Sequence, residues 1–282
     1  MNTFYNPVRG ARENFSMQIA AVFSVIFGWF VVGSFVTLAA MGATKAWFGT
    51  DLPAWASMFE QLIGFVPFIA AGILVPVFYG RRIITGLTGA TRFRWNIYFR
   101  GVWTWGLLLF LGGLIGFLTS PDLMTFRFDA SAFFPALLVG LLLLPLQTAA
   151  EEVFFRGVLP QFLTRIVRHP AFALAFSAAL FAALHLFNPE AQSSPLIAFA
   201  TYFAMALGWG IASYKMAGLE ITLGAHLINN IFGLFIFGYD NSAVTGVALW
   251  SVPQAEMSQA FVSTVFTMSL WLFILHRLHK RD

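Results

Sequence analysis

The sequence predicts an all-α fold, a polytopic transmembrane bundle of about eight helices with both termini in the cytoplasm. Three observations predict it. Apolar residues make up 59% of the 282-residue chain and charged residues only 10%, against roughly 45–50% and about 25% in a soluble domain. The apolar residues fall into eight runs, each long enough to cross a bilayer. The basic residues gather between alternate runs rather than on one polar face, so the net charge of +4 reports membrane orientation and not a nucleic-acid partner. A soluble globule of this length has no interior large enough for 34 Phe and 9 Trp. With no cysteine in the chain, disulfides, Cys-ligated zinc and Cys-nucleophile chemistry are excluded.

The first run, 17–40, follows a segment carrying Arg9 and Arg12. At about 24 residues it exceeds the roughly 7–15 of a signal-peptide core, and it reads as a retained span. The others follow at 61–80, 101–119, 132–150, 170–187, 195–214, 219–238 and 257–276. A β-barrel is excluded, because its strands would alternate apolar and polar residues with period two. With the N-terminus inside, the inner segments hold Arg9, Arg12, Arg81, Arg82, Arg92, Arg94, Arg100, Arg156, Arg165, Arg168, Lys215, Arg277, Lys280 and Arg281. The outer segments hold only Lys45 and Arg127. That asymmetry places a multi-pass protein in the cell membrane with both ends cytoplasmic, in contact with membrane lipids. No internal repeat is present, and the polar stretch 81–100 is too short to be a domain, so residues 1–282 read as one integral-membrane domain. Gly112 and Gly116 form a GxxxG step in the third span and predict close helix packing there. Trp47, Trp55, Tyr79, Trp95 and Tyr98, near span ends, read as interfacial anchors. His169, His276 and His279 are given no role.

Ionisable groups inside a membrane cost at least about 2.5–3.5 kcal/mol each, so a cluster of them signals function. Three segments supply one: Glu151-Glu152-xxx-Arg156, Phe181-xxx-His185 and His226-xxx-Asn230. Glu152 and Arg156 are four apart and share a helix face, which lets them pair and leaves Glu151, about 100° round the helix, to face another partner. His226 and Asn230 likewise project from one face. Counted from the turn near 168–170, Glu152 and His185 come to similar depth in an antiparallel hairpin. Simple span counting nonetheless puts Glu151 at one end of its span and His185 near the other. The amphipathic segment 158–167 resolves this if it continues the fourth helix, bent at Gly157 or Pro160, and sinks the carboxylates into the membrane. Otherwise it lies flat on the cytoplasmic surface.

Two Glu, two His and an Asn in a dry pocket are the parts of peptide hydrolysis by activated water. A carboxylate serves as general base, a histidine orients the water or binds a metal, and a second histidine with an amide donor stabilises an oxyanion. In this order the three motifs resemble the CAAX-protease and bacteriocin-processing (CPBP, or ABI) family of intramembrane endopeptidases, which includes the type II CAAX prenyl endopeptidase. The resemblance covers spans four to seven, about 132–240, which would be the catalytic core. It implies an eight-helix fold with a cytoplasm-facing cavity. It also implies that Glu151 is the base, that His185 helps it activate water, and that His226 and Asn230 form the oxyanion site. Glu152, Arg156 and Phe181 would support them. Members are often described as metalloproteases. Glu151, His185 and His226 are the candidate ligands, and whether a divalent metal such as zinc is bound stays open.

No HExxH and no GxGD occur, which argues against zincin-type and presenilin-like chemistry. The function expected is endoproteolysis of a membrane-associated or lipidated peptide or protein. A basic rim including Arg156, Arg165 or Arg168 would favour a free C-terminal carboxylate, unless those arginines only orient the chain and bind anionic lipid. The alternative class is a non-catalytic membrane scaffold, or an immunity or regulatory protein on the same fold. A transporter would show Gly/Pro-broken helices in matching halves, and none are evident.

Overall fold

The computed structural model describes residues 14–239, 241–252 and 257–279. Arg9, Arg12, Lys280 and Arg281, part of the charge asymmetry, lie outside them. The described chain is helical nearly throughout. Each of the eight apolar runs becomes a helix, and one short helix is added in the polar stretch after the second. They are α1 (Phe15–Phe48), α2 (Ala54–Phe78), α3 (Ile83–Thr88), α4 (Trp95–Thr119), α5 (Ala130–Val167), α6 (Pro170–His185), α7 (Pro195–Met216), α8 (Glu220–Ile236) and α9 (Met257–His279). Six of these are long and apolar enough to cross a membrane, and α6 and α8 are shorter apolar helices. This is a multi-pass membrane protein.

Helix starts are the main departure from the apolar runs. α2 and α4 begin several residues earlier than 61 and 101, because Pro53 and the segment around Arg94 supply the boundary and not the first apolar residue. α1 runs on past residue 40 to Gly49, whose φ of 72° ends it. α5 is started by Asp129, whose carboxylate accepts the Ser131 backbone N–H at 2.9 Å. Arg168 (φ 57°) and Ala217 (φ 51°) make the tight turns after α5 and α7.

The turn between α7 and α8 is held by one arginine. Arg94 donates to both oxygens of the fully buried Glu220 at 2.7 and 2.6 Å, and to the Met216 carbonyl at 2.9 Å. The pair caps the C-terminal carbonyls of α7 and sets a carboxylate at the N-terminus of α8. Three two-residue strands at the opposite end tie loops together. β3 (Trp250–Ser251) pairs antiparallel with β1 (Thr125–Phe126) and parallel with β2 (Phe237–Gly238).

Close packing falls elsewhere than the GxxxG step. Nothing lies within 4 Å of where a Gly112 side chain would be, and Gly116 meets only the end of Met124. Gly112 faces outward. α4 instead meets α8 through Gly101 and Gly224, whose added Cβ atoms would lie 2.1 Å from the Ile221 carbonyl and 2.2 Å from the Tyr98 carbonyl. Backbone against backbone cannot yield as a flexible side chain can. Gly224→Val is therefore expected to cost at least about 1–3 kcal/mol, and Gly112→Val almost nothing, as thermal unfolding in detergent would show. Among the expected interfacial anchors, Trp47 and Trp95 are exposed, but Tyr79 is buried against the α2 core.

Candidate active site

α5 carries the two carboxylates, and the expected continuation of this helix is present. It runs unbroken from Ala130 to Val167 through a π-helical turn at Val153–Val158. The cause is local. Pro160 has no N–H for the Arg156 carbonyl, and the Leu159 N–H reaches back five residues to Phe154. Gly157 lies inside this turn, and Pro160 follows it. The extension puts sixteen residues of helix beyond Glu151, so its carboxylate sits in the interior and not at a helix end.

The pairing of Glu152 with Arg156 follows its i, i+4 spacing. Arg156 Nη1 stands 3.1 Å from Glu152 Oε1, with the side chains 2% and 0% exposed. The same oxygen accepts from His226 Nδ1 at 2.8 Å. That bond leaves the other ring nitrogen of His226 pointing at Glu151, with Nε2 3.6 Å from Oε2. This exceeds hydrogen-bond length. Glu151 Oε2 is buried and has no hydrogen-bond partner among the described residues. Two carboxylates, an arginine and a histidine thus share one buried patch. The desolvation cost of the charges is offset only because they face one another.

Aromatic rings wall this patch. The Arg156 guanidinium lies over Phe181, 4.5 Å from the ring centroid, and over Trp209 at 5.4 Å. Phe181 stacks on His185 at 4.1 Å between centroids. Its carbonyl accepts from His185 Nδ1 at 2.8 Å, which fixes the tautomer and leaves Nε2 as the acceptor nitrogen. The FxxxH spacing thus has a physical content: one helical turn gives His185 both a stacking surface and a backbone acceptor.

Glu151, His185, His226 and Asn230 all line one cavity of about 450 Å³. Glu152 and Arg156 lie behind its wall. His226, rather than His185, stands nearest Glu151. His185 faces the same space without a direct hydrogen bond to Glu151 among the described residues. Asn230 donates to Gln147 Oε1 at 2.9 Å and accepts from Asn229, which accepts from Trp105. One of the two Asn230 amide hydrogens is thereby used, and the other remains for a ligand.

Gln147, Asn229, Tyr202 and Glu190 were not foreseen. Gln147 lies four residues before Glu151 on the same face, and that spacing could have revealed it. Tyr202 and Glu190 carry no such signal, because they meet only in the tertiary fold. The Tyr202 hydroxyl donates to Glu190 at 2.9 Å, Asn188 donates to the same oxygen at 3.1 Å, and the Tyr202 ring packs 4.6 Å from His185. Burial and the neighbouring Glu190 push the Tyr239 phenol up to about 12, so it remains a neutral group on the cavity wall.

The expected basic rim is not found among the described residues. Neither Arg156, Arg165 nor Arg168 lines the cavity. Arg156 is drawn behind the wall by Glu152, and the other two follow the long extension of α5 away from the site. Glu151, His185 and His226 share the cavity, but among the described residues no group of three His, Asp or Glu side chains stands close enough together to hold a metal ion.

Fold and site together define a multi-pass membrane protein of the CAAX-protease type. Residues 130–232, which include every residue of the three motifs, match the family described as Type II CAAX prenyl endopeptidase Rce1-like. The chain is also 30% identical over 289 residues to the uncharacterized protein YyaK of Bacillus subtilis (strain 168), covering 96% of each chain. It belongs to this Rce1-like CAAX-protease (CPBP) family of membrane proteases. No solved structure matches it.

Proposed function

We propose that the protein is an intramembrane endopeptidase that cleaves a membrane-associated peptide with water activated by Glu151. The observation that carries this is the convergence of Glu151, His185, His226 and Asn230, from three helices, on one cavity. In this mechanism Glu151 takes a proton from water, and the hydroxide adds to the scissile carbonyl. The resulting oxyanion is met by the spare Asn230 amide hydrogen and by His226 Nε2–H, a role that requires both ring nitrogens of His226 to carry a proton because Nδ1–H is already given to Glu152. Glu151 then gives the proton to the departing amine as the C–N bond breaks. His185, through its free Nε2, orients the water. Glu152 and Arg156 hold the His226 ring so that Nε2 faces the cavity, in the manner of a carboxylate behind a catalytic histidine.

Two tests follow. Asn230→Ala is expected to lower turnover about 10²–10³-fold, the usual loss for one oxyanion donor, in purified protein assayed on a pool of quenched peptides in lipid. An unchanged rate would remove Asn230 from the site. Because no step passes through a metal, cleavage is expected to persist after dialysis against a chelator. Loss of cleavage on chelation, restored by zinc, would reassign Glu151 and the histidines as ligands.

A further inference from the structure

The cavity has a direction. The connectors after α1, α4, α6 and α8 gather at one end of the bundle. There the Arg127 N–H donates to the Leu249 carbonyl at 2.8 Å, and the Thr245 N–H donates to Gln61 of α2 at 2.7 Å. The connectors after α2, α5 and α7 gather at the other, where Arg94 joins Thr88, Met216 and Glu220. The connector residues that line the site cavity are Asn188, Glu190, Tyr239, Ser242, Ala243 and Val244. All belong to the first end. A second cavity, of about 430 Å³, shares Gly233, Tyr239 and Ser242 with it and reaches Arg127 and Asp129 at that same end. Toward the second end the path is filled. Residues 153–160 are all buried, and the spaces beside them are about 10 Å³, room for a single water.

The two ends differ in charge. Among the described residues only Lys45 and Arg127 stand for Lys and Arg at the open end, beside Asp51, Asp122, Asp129 and Glu190. The filled end carries the arginines of the α2–α4 connector, Arg165, Arg168 and Lys215. Basic loops are retained in the cytoplasm. We infer that the cavity opens to the extracytoplasmic face, and that its substrate is a peptide segment presented from that side. This reverses the cytoplasmic mouth that the family resemblance implies. Among the described residues the cavity is lined by the carboxylates Glu151 and Glu190 and by no Lys or Arg, so neutral or basic flanks are favoured over acidic ones. The substrate part rests on the hydrolase assignment above, whereas the orientation does not.

Because the chain has no cysteine, single substitutions report one site each. Asn241→Cys and Thr119→Cys mark the open end, and Thr91→Cys marks the filled end; all three positions are exposed. In intact cells a membrane-impermeant maleimide is expected to label the first two fully. It is expected to leave Thr91→Cys unlabelled until the membrane is permeabilised. The opposite pattern, or labelling of both ends in intact cells, would overturn the orientation. An impermeant pool of quenched peptides should then be cleaved by right-side-out and not by inside-out vesicles. Cleavage confined to inside-out vesicles would refute the inference and leave the hydrolase standing. The expected labelling without cleavage in either vesicle would do the reverse.

Discussion

Glu151→Gln is expected to abolish cleavage while the bundle stays folded. Gln keeps the size of the side chain but cannot take a proton from water, and losing a general base typically costs about 10²–10⁴ in rate. The fold should survive, because among the described residues Glu151 makes no short hydrogen bond whose loss would strand a partner. Its nearest neighbour, His226, is held by Glu152. Equal thermal unfolding midpoints for the two proteins, with turnover at background in the variant, is the expected pair of results. Near-normal turnover by a folded Gln variant would remove Glu151 from the chemistry.

Arg156→Leu is expected to do the opposite and to unfold the protein. Glu152 is fully buried, and Arg156 is the cation four residues along that faces it. Removing one partner of a buried pair leaves an uncompensated charge and costs about 3–5 kcal/mol, a large share of the total stability of a typical domain. Adding Glu152→Gln to Arg156→Leu should recover part of that loss, because no buried charge is then stranded. Detergent-solubilised yield and thermal midpoint would measure both. If Arg156→Leu alone matches the wild type in each, the buried pair does not hold this part of the bundle.

Much of this was legible in the sequence, for identifiable reasons. The eight apolar runs became eight helices because a lipid environment forces apolar runs and helicity to coincide. The Glu152–Arg156 pair was legible because four residues is one helical turn. The meeting of α5 and α6 at the site was legible from a count about the turn at Arg168. What was missed depended on three-dimensional closeness. Glu190 sits on a connector, and only the return of the chain brings it to Tyr202. His226 stands nearer Glu151 than His185 does, because Glu152 draws the ring in, and no linear spacing records that pull. The GxxxG step misled because the α4–α8 contact uses the face bearing Gly101 and Trp105, while Gly112 faces outward. The basic rim misled because sequence gives the end at which an arginine lies, but not the end at which a cavity opens.

The central claim is that the carboxylate of Glu151 drives hydrolysis in this cavity. It is tested most directly by mass spectrometry of peptides incubated with purified wild-type protein in lipid, beside an equally folded Glu151→Gln preparation. The wild type should release paired fragments whose masses sum to the parent peptide plus one water, and the variant should leave the parent intact. The same paired fragments from both preparations, or an intact parent with the wild type across the whole peptide pool, would contradict it.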